Sequence, residues 1–168
     1  MAESFEAYRE RVLGYLGSRD PMRVLAATLR RVVQPVKGRS RSALSRRPGS
    51  QKWSTIEIVA HLADAELVFA WRIRNMVATP GVSLQWWDEH LWSQKFAYAQ
   101  VPLATSCATF GALRSANLAL LRSLPRRSVD AAFGIHDKRG RQTLTDFVAM
   151  EAAHDLNHQL QIQGLLRD

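Results

Sequence analysis

A single cysteine, Cys107, occurs in 168 residues. An internal disulfide is thereby excluded, and so is any zinc site built on paired thiolates; a metal centre would have to use His, Asp or Glu. Cys107 has no basic or His neighbour in "ATSCATF" to lower its pKa, and we read it as a small buried hydrophobe rather than a nucleophile. Long apolar runs are also missing, since no stretch approaches the roughly 18 residues of a membrane span. The opening "MAESFEAYRE" is charged where a signal peptide would be apolar, so the expectation is a cytoplasmic protein without a membrane partner. Acidic residues are few beside basic ones, 15 against 23, for a formal net charge of +8. Such an excess favours anionic partners. Much of it lies in "VKGRSRSALSRRPGSQK", positions 36 to 52, among Gly, Ser and Pro and without an aromatic residue. With no ring to stack on a base, this stretch reads as a solvated, mobile connector and not as a nucleic-acid interface.

The 46% hydrophobic content suffices for one substantial core, and we expect one domain over 1–168. Residues 3 to 34 carry a helical pattern (Phe5, Tyr8, Val12, Tyr15, Leu16, then Val24, Leu25, Leu29, Val32) with a break near 18 to 21, where Asp20-Pro21 can open a new helix. Pro35 and Gly38 are expected to end it. A second helix starts at Ser54 or Thr55, with Glu57 placed for a capping box, and runs to about 78. Residues 79 to 105 hold two prolines and little periodicity, and read as a long irregular excursion. A third helix covers about 104 to 124, with Phe110, Leu113, Leu118 and Leu121 as core candidates. "VDAAFGIHDKRGRQTL" is extended or turn-like, and a fourth helix runs from Thr143 or Thr145 to about Leu166. Four long helices without a convincing sheet predict an all-α four-helix bundle.

In the fourth helix Leu144, Phe147, Glu151, His154, His158, Ile162 and Leu165 advance by threes and fours and share one face. His154 and His158 therefore stack one turn apart, roughly 6 Å, close enough to converge on one ion. A third ligand has to come from another element, and His61, within "EIVAHLADAELV" of the second helix, is the candidate. Three His from two bundle helices would leave coordination positions open to water or substrate, the arrangement of catalytic sites. "HDLNH" also invites comparison with the HExxH protease motif, but Asp155 replaces the Glu and no further ligand follows His158, so a peptidase is the weaker reading. His90 and His136 fall in loops and are read as exposed or locally hydrogen-bonded. Trp86, Trp87 and Trp92 are read as anchoring the excursion to the core or capping a site at the end of the bundle.

These residues resemble a known family. "KWSTIEIVAHLADAE", followed about ninety residues later by His154, His158 and "QLQI", is similar to the DinB/YfiT-like superfamily over nearly the whole chain. The resemblance implies an up-down-down-up four-helix bundle, often a homodimer, with one divalent metal held by His61, His154 and His158. Characterised relatives include transferases that use bacillithiol, mycothiol or glutathione, and a maleylpyruvate isomerase.

The expected function is that of a metal-dependent transferase, or a hydrolase, acting on a small electrophilic molecule with a low-molecular-weight thiol or water. Zinc or nickel is the expected ion, with iron and manganese as further choices, because three imidazoles suit all of them. Asp64 and Glu57, one turn either side of His61, are candidates for general base or for a partner of a ligand, and Glu151 stands in the same relation to His154. Arg72 is a candidate contact for a substrate carboxylate. The alternatives are a non-catalytic metal-binding or stress-response protein and, further off, a nucleic-acid-binding module.

Overall fold

Helix α1 (Phe5–Leu16) begins where the Ser4 side chain accepts from Ala7 N, and stops at Gly17, whose φ of 57° suits glycine. Asp20 then caps Met22 N and Pro21 takes the first helical position of α2 (Pro21–Val36), so the break falls where the sequence places it. Pro35 does not end α2. It lies one residue from the terminus, where its missing N–H forfeits a single rung of the ladder and the helix still reaches Val36. The computed structural model describes residues 3–167.

The basic connector is tethered rather than free. It contains a one-turn helix, α3 (Arg41–Leu44), whose Leu44 is buried. Arg41 donates to the Ala99 carbonyl at 2.8 Å, and Arg47 donates through Nε to Glu57 Oε2 at 2.9 Å. Apart from Val36 and Leu44 the stretch is exposed, as its composition suggests; what composition does not reveal is the two tethers. The capping box forms as expected: Ser54 and Glu57 satisfy each other's backbone N–H groups at the start of α4 (Thr55–Ala78).

The excursion is ordered. It comprises strand β1 (Val82–Leu84), helix α5 (Glu89–Lys95) and a 3-10 turn (Tyr98–Gln100), and leads into α6 (Leu103–Ser123). After α7 (Arg126–Ala131), strands β2 (Phe133–His136) and β3 (Gly140–Thr143) form a hairpin that runs into α8 (Leu144–Leu165), capped by Thr143. The structure thus adds a three-stranded sheet, order β1-β2-β3, to the helices: β1 pairs parallel with β2, and β2 antiparallel with β3. A side chain at position 134 would meet Leu84, since a Cβ there would come within 2.5 Å of its Cδ1, so the parallel pair closes over a glycine.

Helices α2, α4, α6 and α8 make the four-helix bundle in up-down-down-up order, with α1 packed on α8. Two apolar clusters fill it. One includes Leu25, Phe69, Ile73, Leu118 and Leu156; the other includes Val32, Ile58, Leu62, Phe110 and Ile162. Phe110 and Leu118 are core residues as expected, while Leu113 and Leu121 are only partly buried. Cys107 is half-buried, and its thiol pKa is raised by that burial.

Between the two clusters the helices carry buried polar residues. Arg114 on α6 donates to Glu66 of α4 through Nε (2.9 Å) and a terminal nitrogen (2.6 Å), to Asp155 of α8 (2.6 Å), and to the Leu25 carbonyl of α2 (3.0 Å). One guanidinium thereby touches all four bundle helices. Asn117 completes the layer by donating to Glu66 Oε1 at 2.8 Å. Burial alone would make the guanidinium easier to deprotonate, but Asp155 and Glu66 outweigh it and hold the charge. No helix among the described residues is long and apolar enough to cross a membrane.

Candidate metal centre

Helices α4 and α8 lie side by side, and this brings His61 to the level of His154 and His158. The Nε2 atoms of His61 and His154 are 3.0 Å apart, and those of His158 and His154 are 3.1 Å apart. All three residues offer a ring nitrogen within 4.8 Å of the others. Nitrogens each about 2.0–2.1 Å from a common ion sit roughly 3.0–3.4 Å apart at right-angled to tetrahedral geometry, so the cluster fits one ion.

Burial sets the protonation state. It pushes His61 well below the usual imidazole range, His154 down to about 4 and His158 down to about 3, with neighbouring imidazoles or cations adding to the shift. At neutral pH all three rings are therefore neutral, the form that ligates a metal. His158 Nδ1 lies 2.9 Å from Gln161 Oε1, an acceptor, so the proton sits on Nδ1 and the Nε2 lone pair faces the cluster. The Nδ1 atoms of His61 and His154 are buried without a protein partner among the described residues. With Nδ1 protonated on all three rings, three lone pairs would meet at the cluster, an arrangement that only a cation between them makes favourable, and the donor set suits a divalent ion.

The histidines form part of the wall of a cavity of about 990 Å³. Trp53 lies 4.7 Å from the His61 ring, Trp87 stacks on the same ring at 5.7 Å and 9°, and Trp92 packs edge-on to Trp87 at 4.8 Å. Trp87 thus covers the site, backed by Trp92. Trp86 instead lies half-exposed under the Lys138 ammonium, 3.4 Å from its ring centroid. His90 is exposed in α5, 5.2 Å from the Trp53 ring.

The three candidate carboxylates part ways. Glu57 is taken up by the capping box and Arg47 and does not line the cavity; burial raises its pKa, but Arg47 and Ser54 outweigh that and the net shift is downward. Asp64 accepts from Tyr98 Oη at 2.5 Å, fastening the 3-10 turn to α4, and is also absent from the cavity wall. Glu151 does line it, one turn before His154. Burial, then the nearby Asp155 and Glu66, push its pKa well above the carboxylate range. Asp155 shares with Glu151 and His154 a spacing that could hold an ion, but its Oδ2 is committed to Arg114. Gln161 and the Arg114 layer were not singled out from sequence. For Arg114 a signal exists: it stands one turn from both Phe110 and Leu118 on their apolar face.

His136 lies in a strand and not in a loop, and of the two expected states it is the locally hydrogen-bonded one. It is 1% exposed in β2, its Nδ1 accepting from Lys138 N at 3.1 Å and its Nε2 buried without a partner. Burial and then Arg139 and Arg72 push it down to about 4, against a smaller opposing effect of Asp137. An unfolded His titrates near 6.5. Below that pH the unfolded chain takes up the proton first, so stability is complete above about 6.5 and falls as pH drops toward 4. Denaturant titrations of wild type and His136→Asn, which keeps an acceptor for Lys138 N, are expected to show wild type losing about 2–3 kcal/mol more than the variant across that window. Parallel pH profiles would refute this.

Fold and site together define a four-helix bundle with a three-histidine cluster open to a cavity, a class in which the helices supply ligands and leave room for a further group. The chain belongs to the DinB superfamily, whose family model matches residues 25–162. Among solved structures, YfiT from Bacillus subtilis is similar at a TM-score of 0.81 and 22% identity, covering 99% of this chain and 89% of that one. YfiT is described as a probable metal-dependent hydrolase with an unusual four-helix bundle topology. Comparison with curated proteins yields no match.

Proposed function

We propose that the protein is a divalent-metal-dependent enzyme that directs a water or a low-molecular-weight thiol against a small electrophilic molecule. The observation that carries this reading is the convergence of three neutral imidazoles, His61, His154 and His158, on the wall of a cavity of about 990 Å³. The description of YfiT favours hydrolysis, and the thiol follows from the family resemblance. Zinc or nickel is the proposed ion. Bound there, it would supply Lewis acidity, lowering the pKa of a nucleophile that reaches its open position.

The rest falls to the chain's own residues. His61, His154 and His158 present lone pairs, and Gln161 fixes the His158 tautomer. Trp53 and Trp87 restrict water at the cluster. Glu151 lines the cavity one turn before His154, and burial raises its pKa, which favours a carboxyl able to give a proton to a leaving group. The test is metal analysis after reconstitution with zinc, nickel, iron or manganese, followed by turnover of a panel of electrophiles with and without added thiols. Stoichiometric uptake with metal-dependent turnover is expected; dependence on thiol separates transfer from hydrolysis. An ion taken up without turnover of any panel member would turn the reading to a non-catalytic metal-binding protein.

A further inference from the structure

Two guanidinium groups in the same cavity have no carboxylate partner among the described residues. Arg72 on α4, three turns beyond His61, is 4% exposed; it donates to the Gln85 carbonyl and lies over the Phe147 ring, 5.9 Å from its centroid. Arg139, in the turn between β2 and β3, is half-buried over the Phe5 ring at 4.1 Å. Among the described residues neither has a carboxylate oxygen within 4.0 Å. Other arginines of this chain show the contrast, since Arg11 is paired with Glu3 and Arg114 with Glu66 and Asp155. Desolvation lowers both pKa values, and the Arg139 charge adds to the shift of Arg72, which falls to about 10. Glu151 and Asp137 for Arg72, and Glu89, Tyr8 and Asp137 for Arg139, offset this only partly.

Burying cations without counter-ions is costly, and the cost is recovered when an anion enters. A guanidinium presents a planar fork of donors matched to an oxyanion, and here aromatic faces hold both groups in place while leaving most of their N–H donors free. We propose that Arg72 and Arg139 form an oxyanion-binding subsite, so that the cavity takes a small molecule bearing a carboxylate or phosphate. The anionic group would sit toward the hairpin end, with the electrophilic part of the molecule toward the histidines. That this molecule is a substrate rests on the enzyme reading above; the subsite itself does not.

The test is calorimetric titration of succinate, inorganic phosphate and, as the uncharged control, succinamide into wild type, Arg139→Gln and Arg139→Lys. The same titrations on His154→Ala remove the ion from the comparison. Wild type is expected to bind at least one of the anions at millimolar concentrations and not succinamide, and whichever anion binds identifies the group. Arg139→Gln is expected to weaken binding about tenfold or more, the equivalent of one charge-assisted hydrogen bond, with Arg139→Lys in between and metal uptake unchanged. Because Arg72 also holds the Gln85 carbonyl, Arg139 carries the decision. Anion binding that persists in His154→Ala separates this subsite from the metal centre, whatever becomes of the latter. Absence of anion binding in wild type, or equal binding by wild type and Arg139→Gln, would overturn the proposal.

Discussion

Replacing Arg114 with methionine is expected to cost about 3–5 kcal/mol, because it leaves Glu66 and Asp155 buried with no cation to compensate them. Domains of this size are stable by only about 5–15 kcal/mol, so the variant should lose a large share of its stability. The loss is large because the guanidinium serves all four helices at once: Glu66 on α4, Asp155 on α8 and the Leu25 carbonyl on α2 all accept from this one α6 side chain. Neutralising the partners as well, in Arg114→Met/Glu66→Gln/Asp155→Asn, should restore much of the stability, since a buried ion pair is worth far less than the penalty of breaking it. Urea denaturation of the single and triple variants decides the matter. An Arg114→Met protein within about 1 kcal/mol of wild type would show that the layer is not a point of strain in this core.

The second large effect concerns His154, whose Nε2 is the common neighbour of the other two. His154→Ala should weaken metal binding by more than about 100-fold, beyond the roughly 10–100-fold expected when only an outer partner is lost. Gln161→Leu, which removes the acceptor for His158 Nδ1, should fall inside that smaller range. Thermal unfolding gives an independent reading. Metal should raise the melting temperature of wild type by mass action and leave that of His154→Ala unmoved. Without metal, the variant should be no less stable than wild type at pH 5, having lost an imidazole that resists protonation only because it is buried. Unchanged metal affinity in His154→Ala would remove the three-histidine centre from consideration.

Much of this site was legible in the sequence because its determinants are local. The Ser54–Glu57 box sets where α4 begins, which fixes the phase of His61, and the i, i+4 spacing puts His154 and His158 together on α8. What escaped depends on partners distant in the chain. Glu57 and Asp64 are as close to His61 along the helix as Glu151 is to His154, yet Arg47 and Tyr98 claim them from segments that look unstructured. Strand β1 is three residues long and finds its register opposite Gly134–His136, some fifty residues later. So short a strand has no periodicity to read, and the same pairing buries His136. Arg114 and Glu66 lay in plain view, in phase with core residues, but a charged residue in a helix suggests solvent unless its partner is already known.

The tryptophans over the cluster have a consequence for spectroscopy. Trp53 and Trp87 flank the His61 ring at 4.7 and 5.7 Å, so whatever happens at the imidazoles happens within van der Waals reach of two fluorophores. Trp71, half-exposed on the outer face of α4, emits from a solvated background that the site does not touch. A paramagnetic ion entering the cluster would quench the first pair and spare the last, giving the protein a built-in optical gauge of its own occupancy.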